Sequence, residues 1–135
     1  MKILVAGIPR TNQRISAIFA DCNITFVNTL ADATAALSER YDLVLIAVSF
    51  DESRMFELLR YAREIGLMRR APVVCYRSKP GPVTSTALAR QAIELACRSL
   101  GADFFDLEAF SNAEAGNRAI REAVLKLVRE KQRNE

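Results

Sequence analysis

The chain has 135 residues, half of them hydrophobic and 26% charged, which suits one compact domain and excludes a wholly disordered or collagen-like chain. Nineteen basic against 16 acidic residues leave a formal charge of +3, a surplus too small and too dispersed to point to nucleic acid. There is no histidine, and Cys22, Cys75 and Cys97 form no CxxC pair, so the usual zinc sets and any Cys–His dyad are excluded and no metal or other cofactor is expected.

The opening MKILVAGIPR is basic and then apolar, but Pro9 and Arg10 stop the run before a full signal core, so it reads as a first strand. Short apolar runs at 3–6, 24–27, 43–48 and 73–76, and a weaker one at 104–107, have the pattern of strands buried on both faces. Helical spacing fills the gaps. Ile15, Ile18 and Phe19 share one face, with Thr11 or Asn12 as the cap. Thr29 and Asp32 form a capping-box pattern ahead of Leu30, Ala33 and Leu37. Met55, Leu58, Leu59, Ala62 and Ile65 mark a third helix that Gly66 ends. A fourth is expected over 84–100 with Leu88, Ala92, Leu95 and Ala96 on its inner stripe, and a fifth carries Ile120, Ala123, Val124, Leu127 and Val128. The basic stretch 126–133 is broken by Glu130 and reads as the solvated face of that last helix.

Five strands alternating with five helices predict βαβ units: a single domain over 1–135, built as a three-layer α/β sandwich on a parallel sheet. No apolar run approaches the roughly 20 residues of a membrane span, so no membrane partner is expected. An odd number of cysteines behind no signal sequence predicts reduced thiols and a cytoplasmic location. In such sheets ligands sit beyond the carboxyl ends of the strands, so the residues just after each run are the ones to question.

Three stretches, KILVAGIP, YDLVLIAVSFDESRMFELLRYARE and GADFFDLEAF, resemble the first strand, the third strand with its helix, and the fifth strand with its turn in receiver domains of bacterial two-component response regulators. The resemblance covers about residues 2–130. It implies a flavodoxin-like sheet of order 2-1-3-4-5 and a chemistry of phosphoryl transfer onto an aspartate. The residues for that chemistry are missing. Gly7 and Ile8 stand where the family keeps two magnesium-binding acids, Ala47 replaces the phosphoacceptor, Arg77 or Ser78 takes the hydroxyl position, and Glu108 and Ala109 replace a lysine and a proline. A carboxylate nucleophile, oxygen ligands for magnesium and a neutralising cation act together, so this degenerate receiver is not expected to be phosphorylated or to carry catalytic residues. Asp51, four residues past Ala47, reads either as a substitute acceptor or as an acid at the start of the third helix.

Two readings remain for the strand ends. Either Arg77 pairs with Glu108 and mimics a phosphorylated state, or the two charges are solvated separately. Arg10, Ser49, Arg77 and Ser78, with amides near Gly7 or Gly81, are the candidate ligands of a small anion, although no GxGxxG or P-loop pattern is present. The segment YRSKPGPVTST, 76–86, makes the chain longer here than a typical receiver and reads as a partner-specific surface or a tolerated insertion. Cys75 and Cys97 read as buried structural thiols. The expected function is a stand-alone, non-enzymatic receiver-like protein that binds a signalling protein, with a homodimer expected through the fourth helix, fifth strand and fifth helix. The alternative is a sensor of a small anion or nucleotide.

Overall fold

The computed structural model describes residues 1–78 and 87–133. Five strands, β1 (Lys2–Ala6), β2 (Asn23–Val27), β3 (Leu43–Ala47), β4 (Val73–Arg77) and β5 (Asp103–Asp106), form one parallel sheet of order β2-β1-β3-β4-β5. The near-continuous apolar runs are the central strands: Ile3, Leu4, Val5, Leu43, Leu45, Ile46 and Val74 are all fully buried, as expected of strands covered on both faces. The flavodoxin-like three-layer sandwich expected from the sequence is the architecture found.

Among the described residues, five right-handed α-helices of seven residues or more cover the sheet: α1 (Pro9–Ile18), α2 (Leu30–Ala36), α3 (Met55–Glu64), α4 (Ala87–Ser99) and α5 (Glu114–Arg133). No helix among the described residues is long and apolar enough to cross a membrane. The cap expected at Thr11 or Asn12 is not there. Proline, which lacks an N–H and has its φ already set, starts α1 at Pro9, so the cap position falls on Ile8 and Thr11 is inside the helix, its hydroxyl donating to the Ile8 carbonyl at 3.2 Å. Thr29 caps α2 as expected, its hydroxyl accepting from the Asp32 amide at 3.1 Å. In α3, Met55, Leu58, Leu59 and Ala62 are buried, whereas Ile65 lies past the last turn and is exposed.

Helix α4 is rotated relative to the expected stripe. Leu88 and Leu95 are 77% and 71% exposed and Ala92 also faces outward, while Cys97 is buried and Ile93 packs on the core. The helix carries two apolar stripes, and the one through Ala89, Ile93 and Cys97 is the one turned inward. Thr84, Ser85 and Thr86, the expected start of this helix, lie outside the described residues.

Two arginines, Arg14 and Arg121, join the early and late parts of the chain, and a tight glycine contact sets the entry to α5. Arg14 of α1 donates from Nε to Asn117 Oδ1 at 3.2 Å, from Nη1 to the Leu107 carbonyl at 3.1 Å, and from Nη2 to the carbonyls of Phe110 and Ser111 at 3.1 and 3.0 Å. At the start of α5, Gly116 packs against the Ser111 backbone so closely that an added Cβ would fall 2.0 Å from the Ser111 carbonyl oxygen. Arg121 adds a bidentate pair to Asp21 at 2.6 and 2.9 Å.

Candidate functional site

In a parallel sheet all carboxyl ends lie on one edge, and here the register brings Ala47 beside Tyr76 and Arg77 beside Asp106. Gly7 follows β1 on the same edge, its amide bonded to the Val27 carbonyl at 3.1 Å. There is no room beside it. An ideal Cβ on Gly7 would lie 2.6 Å from Asn12 Oδ1, 3.0 Å from the Tyr76 hydroxyl and 3.2 Å from Val5 Cγ1. Tyr76 is fully buried, its ring stacked on Phe105 with centroids 6.0 Å apart, and burial pushes the phenol pKa up. Its hydroxyl and Asn12 Oδ1 thus close over Gly7, while Ala47 is the register neighbour of Tyr76.

A magnesium ion does not fit this arrangement. A side chain at position 7 meets Asn12 and Tyr76, Ala47 supplies no oxygen, and no group of three His, Cys, Asp or Glu side chains among the described residues is placed to hold a metal ion.

The charges expected at this edge have a different partner. Arg77 does not pair with Glu108. Its Nη2 donates to Asp106 Oδ2 at 2.6 Å, and Arg90 of α4 approaches the same oxygen at 3.6 Å. Asp106 Oδ1 also accepts from the Glu108 amide at 2.9 Å, capping the short turn Leu107–Ala109 and leaving the Glu108 side chain exposed. Position 106 wins because parallel register sets it directly beside Arg77, whereas residue 108 is already in the turn. One nearly buried carboxylate therefore ties together β4, β5 and α4.

The anion ligands named from the sequence are dispersed. Arg10 is exposed in the first turn of α1 and not on a loop, Ser49 is exposed in the turn after β3, Ser78 is buried, and Arg77 is committed to Asp106. Lys79 and Gly81 lie outside the described residues, as does most of the 76–86 segment.

Asp51 serves a different helix from the one expected. Its Oδ2 accepts from the Leu30 amide at 2.7 Å, so it caps α2 across the loop and not α3. It does so from a left-handed turn, Phe50–Ser53, in which Asp51, Glu52 and Ser53 have φ of 42°, 55° and 67°. Each such L-residue costs about 1–2 kcal/mol, and nothing in the letters DES announces it.

Sequence reasoning also missed Tyr76, Asn12, Arg90 and Asp106. The signal for Asp106 was available, because opposite charges end two runs that neighbour each other in the sheet. For Tyr76 the signal was volumetric: one large residue ends a run whose neighbours end in Gly7 and Ala47.

No family model matches the chain, and no curated protein matches it. Solved structures do. A response regulator from Hahella chejuensis superposes with a TM-score of 0.69 at 18% identity over 94% of this chain and 93% of its own. The receiver domain of a Francisella response regulator gives 0.68 at 16% identity, over 99% and 98% of the two chains. A CheY-like receiver domain protein from Methanospirillum hungatei gives 0.63 at 13% identity, over 96% of each. The chain has the receiver fold. Within that fold, the carboxyl edge of the sheet is here a packed junction of Gly7, Ala47 and Tyr76 flanked by the Arg77–Asp106–Arg90 cluster.

Proposed function

We propose that the protein is a signalling module with the receiver fold that takes no phosphoryl group and works by binding other protein chains. The observation that carries this reading is the filled strand edge: Gly7 has no space for a side chain, and the position beside the buried Tyr76 in the sheet is the alanine Ala47. Phosphoryl transfer to an aspartate needs a nucleophile, a metal to bridge charge and a cation for the product, and the junction has been built from residues that offer none of these together. The Arg77–Asp106–Arg90 cluster supports a single fixed setting of α4 against β5, where a phosphorylated receiver would switch. It is a binding module in this reading and not an enzyme, and its free thiols suit a reducing compartment such as the cytoplasm.

The partner face follows from what α4 exposes. Leu88, Ala92 and Leu95 lie outward at helical spacing, beside a groove between β5 and α5 lined by Phe105, Phe110, Ile120, Val124 and Leu127. Exposed leucines next to an apolar groove mark an interaction surface, for a partner or for a second copy of the chain. The small-anion reading draws less support, because Arg77 is already neutralised by Asp106.

Native mass spectrometry before and after incubation with magnesium and a small phosphodonor tests the proposal. An unmodified chain is expected, with Leu88→Glu/Leu95→Glu lowering the subunit count or abolishing a partner complex. A covalent phosphate adduct would overturn it, and a retained small anion would move the reading to the sensor.

A further inference from the structure

The amino edge of the sheet holds a cleft of about 370 Å³, a volume in the range of small-ligand sites. Four cations line it: Lys2 at the start of β1, Arg40 between α2 and β3, Arg70 before β4, and Lys131 in the last turn of α5. Against them stand two acids, Glu39 and Asp42, which leaves the lining a net charge of +2. Both acids are already engaged. Glu39 Oε2 accepts from Lys2 Nζ at 3.3 Å and from the Tyr41 hydroxyl at 3.2 Å, and Asp42 Oδ2 accepts from the Lys2 amide at 2.7 Å. Lys131 donates to the Met68 carbonyl, an acceptor that fixes the ammonium without neutralising it. Arg40 and Arg70 are exposed, and their guanidinium groups make no hydrogen bond or ion pair among the described residues. The walls are held by the backbone: the Asp42 amide donates to the Lys2 carbonyl at 2.8 Å, the Val44 amide to the Pro72 carbonyl at 3.1 Å, and the Arg70 amide to the Leu67 carbonyl at 2.8 Å.

We propose that this cleft binds a diphosphate group, free or as part of a nucleotide. Positive charge gathered on a concave surface favours a ligand that carries several negative charges on few atoms. Glu39 and Asp42 stand against any anion, so a single carboxylate gains little here, whereas a multiply charged diphosphate matches the surplus. The donors suit it as well. A guanidinium presents its N–H groups as a fork that fits the oxygens of a phosphoryl group, and Arg40 and Arg70 come from separate loops, one for each phosphoryl. Lys131 adds a point charge from α5, and because the Met68 carbonyl already holds it in place, little side-chain entropy is lost when the ligand arrives. The stitched backbone serves the same end, since the loops that carry Arg40 and Arg70 do not have to be ordered by the ligand. This site is at the opposite end of the strands from Arg77 and Asp106, so the inference goes beyond the signalling reading and does not depend on it.

Titration calorimetry of the full chain with inorganic pyrophosphate, at low salt and without divalent cations, tests the proposal. Saturable binding at one site per chain is expected. Arg40→Gln/Arg70→Gln should weaken it about tenfold or more, while Arg60→Gln/Arg63→Gln, which removes the same charge from the exposed face of α3, should stay within about twofold of the parent. All four arginines are exposed, so both variants are expected to fold, and their thermal unfolding curves check it. Amide NMR shifts on adding pyrophosphate should centre on Lys2, Tyr41, Asp42 and Arg70. ADP in place of pyrophosphate separates the two sources, a tighter fit marking a nucleotide and an equal one the diphosphate alone. Three results would overturn the inference: no binding of pyrophosphate, equal weakening by the two variant pairs, or shifts confined to the carboxyl edge around Gly7 and Arg77.

Discussion

Replacing Gly116 with alanine is expected to destabilise a helix that alanine would ordinarily strengthen. An ideal Cβ at this position falls 2.0 Å from the Ser111 carbonyl oxygen, 2.6 Å from its Oγ and 2.8 Å from its carbonyl carbon, whereas real Cβ atoms stay beyond 3.0 Å. The turn before α5 must therefore open by about 1 Å, and overpacking of this kind costs about 1–3 kcal/mol. The oxygen that has to move also accepts from Arg14 Nη2 at 3.0 Å. Losing a hydrogen bond to a charged donor adds about 1.5–3 kcal/mol, and alanine's helix preference returns about 1 kcal/mol. The net loss is about 1.5–5 kcal/mol, or a fall in Tm of about 5–15 °C for a domain of this size. Thermal and urea unfolding of Gly116→Ala measure it. In an Arg14→Met background the cost of the same change should shrink by about 1.5 kcal/mol, since the bond is already gone. A Gly116→Ala protein with an unchanged or higher Tm would refute the reasoning.

Other expectations concern the strand edge and its loops. Asp106→Asn leaves Arg77 and Arg90 facing a neutral amide and should cost about 3–5 kcal/mol by urea unfolding, while Glu108→Gln should stay within about 0.5 kcal/mol of the parent. Glu52→Gly relieves a left-handed residue and should raise stability by about 1 kcal/mol, measured the same way; a loss would mean that the turn is not strained. Tyr76 titrates later in the folded chain than unfolded, so its contribution is complete below the unfolded value and is lost as pH climbs from about 10 towards the folded value. Stability profiles of the parent and Tyr76→Phe should therefore diverge only in alkali, with the phenylalanine protein the flatter.

Much of the architecture was legible in the letters because central strands of a parallel sheet are apolar on both faces, and 3–6, 43–48 and 73–76 are so nearly without polar residues that no other element suits them. Helices α3 and α5 were legible for the related reason that each has one dominant stripe. Helix α4 was not, since two stripes compete and the one turned inward, with Cys97 buried and Ile93 packed on the core, is chosen by tertiary packing and not by the spacing of its own residues. The residues at the carboxyl ends of the strands could be named from the sequence, but what each one meets could not. Whether Arg77 meets residue 106 or 108 depends on register, and whether Gly7 is vacant or filled depends on where a tyrosine three strands away in sequence order puts its hydroxyl. The left-handed turn at Asp51–Ser53 had no glycine to mark it.

Arg14 bears on the order in which the molecule assembles. Its four acceptors lie 93, 96, 97 and 103 positions further along the chain, so none of these bonds forms until the segment from β5 into α5 has docked on α1. Contacts closing such long loops repay their entropy late, after a nucleus of neighbouring β-strands and helices is in place. Removing the guanidinium with Arg14→Met should therefore leave the refolding limb of a chevron plot nearly unmoved and steepen the loss on the unfolding side, making Arg14 a residue that governs how long the native state lasts more than how fast it is reached.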